Sequence, residues 1–196
     1  TVDDAEPADI RMVTAMQASI EMRFDDDAST LSLVPAGGYL DVVSSEAEEI
    51  HVIFPDGRLG WLKNDEAFTS HWRDRETIAV VAKLFLGVPY FWGGKTSYGL
   101  DCSGYVQLVH KLCGISIPRD SVEQHDQGMR LSTDHRDARA GDLLFFSETG
   151  KRISHVGMSL GDGLILHSRG MVTLNSLCPE HPHFRPALRD TFVEVK

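Results

Sequence analysis

Three cysteines and nine histidines are the residues of this 196-residue chain best suited to nucleophilic chemistry. One cysteine is placed with purpose. Cys102 follows an aromatic, glycine-rich run, Pro89-Tyr90-Phe91-Trp92-Gly93-Gly94, and precedes an apolar series. Asp101 is a good N-cap, because a short side-chain oxygen accepts from the free amides of a first turn. Val106, Val109 and Leu112, joined by Tyr105 and Leu108, then give helical spacing up to a Gly114 stop. Cys102 therefore falls in a first turn, where unpaired amides and the helix dipole favour the thiolate, which is the nucleophile. Asp101 opposes that charge, so a cation nearby would help. On this stretch alone, a small core cysteine at a helix start is an equally good reading.

A thiol nucleophile needs a base and a group to orient it. Two alternating runs, Ser154–Leu160 and Leu164–Arg169, flank Gly161-Asp162-Gly163 and predict a hairpin. With a three-residue loop, His167 stands opposite Gly157. It then shares a face with His155 one diagonal step away, within reach of a second imidazole. A two-residue loop would put the two histidines on opposite faces. The other face, Val156, Met158 and Leu160, is apolar and belongs to the core. Two rival readings remain at this point: polar-face residues without a role, and neutral imidazoles that bind zinc with a thiolate. Cys178, His181 and His183 form a second candidate zinc set. His51, His71, His110, His125 and His135 are expected at the solvated surface.

The elements that must position these residues follow from pattern. Residues 1–9 are acidic and Asp25-Asp26-Asp27 is a turn, while Ile10–Phe24 mixes helical and strand spacing. Short runs at Leu31–Val34, Tyr39–Val43, Ile50–Phe54 and Leu59–Leu62, with Pro55-Asp56-Gly57 as a turn, predict a small barrel. After a connection at 63–71, Ile78, Val81, Ala82 and Phe85 define a helix that Gly87-Val88-Pro89 ends. Asp120-Ser121-Val122-Glu123 reads as a capping box opening a short helix that stops at Gly128. Gly141–Phe146 and Met171–Leu174 read as strands, and the tail 178–196 as irregular. Cys113, at a helix end, reads as core. The net charge of −10 argues against nucleic acid or an anionic membrane surface as partner. The odd cysteine count leaves at least one thiol outside any intramolecular disulfide. No run has the length of a membrane-spanning helix. No signal peptide is visible, and the chain does not start with Met, so the compartment stays open. A monomer is expected.

Taken in order, Pro89-Tyr90-Phe91-Trp92-Gly93-Gly94, Asp101-Cys102-Ser103-Gly104, Pro118-Arg119-Asp120-Ser121 with Gln124, Gly141-Asp142-Leu143, Ser154-His155-Val156-Gly157 and His167 resemble the NlpC/p60 cell-wall cysteine peptidases. The likeness covers about residues 75–175. Gly60-Trp61-Leu62, closing the N-terminal strands, looks like the bacterial SH3-like module that many such enzymes carry. The resemblance implies an α+β architecture: a papain-like catalytic domain over 71–196, preceded by an SH3-like barrel over 1–70 that restricts substrate or binds wall. It implies Cys102 as nucleophile, His155 as general base and His167 as its orienter. Tyr90 would hold the tetrahedral oxygen or order the nucleophile. Related enzymes cleave after γ-D-glutamate in peptidoglycan stem peptides, typically L-Ala-γ-D-Glu-diaminopimelate, some of them requiring a free N-terminal L-Ala. On that substrate Asp101 and Asp120 would meet the ammonium, Arg119 the D-Glu carboxylate, and Ser103 and Ser121 would donate hydrogen bonds. No cofactor or metal is implied. The scaffold also suits an amidase or acyltransferase, and a wall-binding protein with a dead site is the third reading. A cell-envelope or cytoplasmic setting in a bacterium fits equally.

Overall fold

The computed structural model describes residues 9–23, 29–68 and 74–196. The acidic start, the Asp25-Asp26-Asp27 turn and His71 lie outside the described residues. The chain divides into two compact units, Thr1–Ser70 and His71–Lys196.

Alternation builds the first unit. Its strands are β1 (Asp9–Val13), β2 (Gln17–Arg23), β3 (Ser29–Pro35), β4 (Tyr39–Ser45), β5 (Glu49–Ile53), β6 (Leu59–Lys63) and β7 (Ala67–Phe68). They form one antiparallel sheet in the order β3-β2-β6-β5-β4-β1-β7. Val13, Ala18, Ile20, Leu40, Val42, Ile50, Val52 and Leu62 make one buried cluster. The ambiguous run after Ile10 is strand: Ala18, Ile20 and Met22 are buried on one face, while Gln17 and Glu21 are exposed. The apparent helical spacing came from residues on two strands separated by a short turn. At Pro55-Asp56-Gly57 the Gly57 amide donates to the Phe54 carbonyl at 2.8 Å, and Gly57 takes φ 84°.

The second unit contains α1 (Arg75–Leu84), the small ribbon β8 (Lys95–Thr96) and β9 (Gly99–Leu100), α2 (Cys102–Leu112), α3 (Ser121–Gln127), β10 (Leu143–Phe146), β11 (His155–Gly161), β12 (Leu164–Arg169), β13 (Met171–Ser176), α4 (Pro186–Arg189) and β14 (Phe192–Val195). The large sheet runs β13-β12-β11-β10-β14, antiparallel throughout. Helix α2 lies against β11 and β12 on one side and α1 on another. It is buried nearly all round, as a helix enclosed by neighbours must be: Tyr105, Val106, Leu108, Val109 and Leu112 are all in the core. The Tyr105 hydroxyl, which burial would otherwise orphan, donates to the Ala82 carbonyl at 3.0 Å.

Burial of α2 also overturns a surface expectation. His110 is 7% exposed, and its Nδ1 pairs with the Val106 carbonyl at 2.8 Å. His135 is buried against the edge of Phe192. His125 stacks edge-on to Phe145 and bonds Glu194 at 2.9 Å. The tail 178–196 is not irregular. Its strand β14 pairs with β10, Val195 opposite Leu144. The pattern hid it because Glu194, on that strand, is buried yet charged; His125, Arg130 and Lys196 surround its carboxylate. The capping box is also corrected. Asp120 is the N-cap of α3, but its side chain makes no cap hydrogen bond. Cys102, Cys113 and Cys178 are all free thiols.

Candidate active site

Local geometry fixes the thiol. The Asp101 carboxylate accepts from the Gly104 amide at 2.7 Å and from the Gly93 amide at 2.9 Å, tying the helix start to the glycine loop. The Asp101 amide donates to the Gly94 carbonyl at 3.1 Å. Loop and helix approach so closely here that a Cβ on Gly104 would collide with the Gly94 carbonyl, and one on Gly94 with Gly99. Cys102, the first residue of α2, is half-buried. Burial pushes its thiol above the ordinary value, and the Asp101 charge adds to the rise. The Val156 and Ser103 amides near the sulfur work the other way without winning. The dipole argument alone predicted a lowered thiol, and desolvation outweighs it.

The Val156 amide places β11 beside the sulfur, and the preceding residue is His155. Its Nε2 stands 2.8 Å from His167 Nδ1, the rings edge-on with centroids 5.0 Å apart. Burial, with positive charge on His167 and Arg169 nearby, pushes His155 down to about 3. His167 is 2% exposed and also lowered, by burial first. Its Nε2 meets Asn175 Oδ1 at 3.0 Å, and the Asn175 Nδ2 donates to the Leu174 carbonyl at 2.9 Å. Asn175, on β13, was missing from the sequence reading; the one usable signal was a polar residue on the run that follows His167.

The hairpin reaches this arrangement by a different route from the one expected. The loop is two residues, Asp162 and Gly163, both with positive φ (51° and 72°), as a type I′ turn demands. Gly161 pairs with Leu164, but the register shifts between Ser159 and Gly161, and beyond the shift Met158 pairs with Leu166. That β-bulge absorbs one residue and restores the parity a two-residue loop would have lost. Gly157 is required there: a Cβ on it would come within 2.9 Å of the His167 Cβ and 2.5 Å of Ile165 Cδ1.

Cys102 and His155 line a cleft of about 840 Å³ together with Tyr90, Trp92, Asp101, Ser103, Arg119, Asp120 and Ser121. His167 lies behind His155 and does not line it. Burial and the charges of Cys102 and Asp101 push the Tyr90 hydroxyl up, with Arg119 opposing. Arg119 closes both ends of its fork on Asp101, at 2.6 and 3.0 Å, and also donates to Ser103 Oγ at 2.9 Å. Its fork therefore braces the thiol-bearing turn instead of standing open to a carboxylate. Gln124 holds the same corner by donating to the Ser103 and Pro118 carbonyls at 3.1 and 2.9 Å. Among the described residues no group of three His, Cys, Asp or Glu side chains is placed to hold a metal ion. No helix among them is long and apolar enough to cross a membrane.

Fold and site together define an α+β protein whose cleft sets a helix-start thiol beside a pair of hydrogen-bonded imidazoles. Residues 87–188, just over half of the chain, match the family model described as NlpC/P60. A γ-D-glutamyl-L-lysine dipeptidyl-peptidase of Bacillus cereus is 39% identical over 137 residues, covering 66% of this chain and 40% of that protein. A Bacillus subtilis protein of the same name is 47% identical over 95 residues, covering 47% of this chain and 31% of its own length. The crystal structure of a B. cereus NlpC/P60 family protein superposes with a TM-score of 0.83 at 28% identity, over 95% of this chain and 62% of that one. The chain belongs to the NlpC/P60 family. It spans less than half the length of the two curated relatives.

Proposed function

We propose that the chain is a cysteine endopeptidase that hydrolyses the γ-D-glutamyl–diamino acid bond of peptidoglycan stem peptides. The observation that carries this reading is the His155–His167 pair held at 2.8 Å beside the Cys102 helix start. The names of the relatives supply the bond. Cys102 Sγ attacks the γ-carbonyl carbon of D-Glu while His155 takes the thiol proton. His155 returns that proton to the leaving amine of the diamino acid, and a thioester remains on Cys102. Water, deprotonated by His155, then releases the acid and restores the thiol. His167 orients His155. The Tyr90 hydroxyl and amides at the helix start are the donors for the tetrahedral oxygen.

Substrate recognition falls to the cleft rim. Asp120, whose carboxylate is not engaged in capping, is the acid we assign to the N-terminal ammonium of L-Ala, with the charge of Asp101 behind it. Ser103 and Ser121 are assigned as hydrogen-bonding groups for the D-Glu carboxylate, with Arg119 as the nearest cation. We read the catalytic unit, residues 71–196, as papain-like. Residues 1–70 we read as an SH3-like barrel that restricts substrate or binds wall.

The test is direct. The protein is incubated with L-Ala-γ-D-Glu-diaminopimelate and with its L-lysine counterpart, and the freed diamino-acid amine is measured. Cleavage of at least one, lost by about a thousandfold or more in Cys102→Ala, is the expected result. Cleavage that survives Cys102→Ala would sink the mechanism.

A further inference from the structure

We propose that Asn175 is a positioning residue that sets the tautomers of both imidazoles and thereby keeps the Nδ1 of His155 bare for the Cys102 proton. The inference rests on the reading of His155 as general base. Two ring nitrogens 2.8 Å apart, His155 Nε2 and His167 Nδ1, share a single proton in the neutral pair. If His155 Nε2 carries it, His155 Nδ1 is free to act as base. If His167 Nδ1 carries it, a neutral His155 holds its own proton on Nδ1 and has nothing to offer the thiol. Nothing within the pair chooses between these states.

Asn175 chooses. It is 7% exposed on β13, and its amide orientation is fixed by its neighbour. Nδ2 donates to the Leu174 carbonyl at 2.9 Å, and a flipped amide would set oxygen against oxygen. The Oδ1 is therefore the atom 3.0 Å from His167 Nε2, and an amide oxygen only accepts. His167 must carry its proton on Nε2, so its Nδ1 is bare. His155 must then carry its proton on Nε2. The order runs from a backbone carbonyl on β13 through two side chains to the atom that does the chemistry.

The choice of an amide over a carboxylate has its own consequence. The groups facing His167 are His155, Arg169 from the end of β12, and Arg185 from the residue before α4; Arg169 is itself 3.7 Å from Glu148. Among the described residues no carboxylate lines the cavity behind His167 and Asn175. A neutral acceptor fixes the tautomer without drawing a second proton onto the pair. A carboxylate at 175 would raise the proton affinity of both rings.

Histidine-labelled protein tests this by long-range ¹H–¹⁵N NMR and by kinetics on the stem peptides. The wild type should show both His155 and His167 protonated at Nε2 at neutral pH. Asn175→Ala should show mixed tautomers, with kcat lowered about tenfold to a hundredfold, the usual range for a supporting partner, at a nearly unchanged KM. Asn175→Asp, close to isosteric, should keep the Nε2 tautomer of His167 and move the acid limb of kcat to higher pH. Nδ1-protonated His167 in the wild type would overturn the proposal. So would a single Nε2 tautomer persisting in Asn175→Ala, or an unmoved acid limb in Asn175→Asp. If the wild type cleaved no stem peptide, the proposed function would fall, while the tautomer spectra would still judge Asn175.

Discussion

Cys102 and His155 each occupy a place where their own charged form is disfavoured, the thiol raised and the imidazole lowered to about 3. The sign of both shifts widens the working range. An uncharged thiol–imidazole pair persists from well below pH 6.5, the ordinary histidine value, to beyond about 8.5, the ordinary thiol value. We therefore expect a broad plateau in kcat/KM, with the acid limb clearly below 6.5, measured on a stem peptide from pH 4 to 10. A rate climbing only as the thiol ionises near 8.5 would contradict it. Gly104 makes a second prediction at this scale. A methyl at 104 meets the Gly94 carbonyl and stands 3.0 Å from Asp101 Oδ1, both part of the turn that carries the thiol. Gly104→Ala should cost about 1–3 kcal/mol in denaturant unfolding and lower kcat more than it raises KM. Asp120→Asn, by contrast, removes charge from a side chain that caps nothing. It should raise KM for peptides with a free N-terminal amine and leave N-acetylated peptides unaffected.

The helix from Cys102 to Leu112 was legible because its cap, apolar spacing and stop agree, and α1 because its spacing and stop do. The hairpin was legible in its two arms and in the shared face of His155 and His167, but not in its loop. Loop length and bulge are compensating variables, and pattern fixes only their combined parity. Asn175 stayed hidden because a buried amide looks like any polar strand residue until its partner is known. Strand β14 stayed hidden because a buried Glu194 breaks the alternation that marks a strand, its carboxylate being met by His125 and Arg130 from distant sequence and by Lys196 two residues on. The turn itself gives a prediction. Gly163 has φ 72°, and a Cβ there would collide with Cys178 Sγ. Gly163→Ala should lower the unfolding midpoint and slow turnover together, since the strands it joins hold both histidines.

Across the whole molecule, burial of imidazoles sets the response to acid. His110, His135, His155 and His167 are all lowered, burial being the largest cause at each. The folded state therefore binds fewer protons than the unfolded chain below about pH 6.5. Stability is complete above that value and falls as the pH drops through it, down to about 3 for His155. Urea midpoints should decline between pH 7 and 5, and the decline should be shallower in His155→Gln. A midpoint flat over that range would contradict this. The central helix was readable from the sequence at this scale; the depth at which four histidines lie was not.

The extra residue in β11 also constrains how this chain can change. A strand arm carries its side chains with a phase of two, and the bulge between Ser159 and Gly161 supplies a single step of that phase. Removing Leu160 would leave a tidier ladder, the same two-residue turn and the same pairs beyond it, so His155 would keep the side of the sheet it shares with His167. A second deletion on either arm between the turn and its histidine would have no bulge to absorb it and would send the two histidines to opposite sides. The bulge is therefore the place where this hairpin can lose one residue and no more, and a library of one- and two-residue deletions scored for peptide cleavage should find loss of Leu160 active and loss of Leu160 with a second arm residue dead.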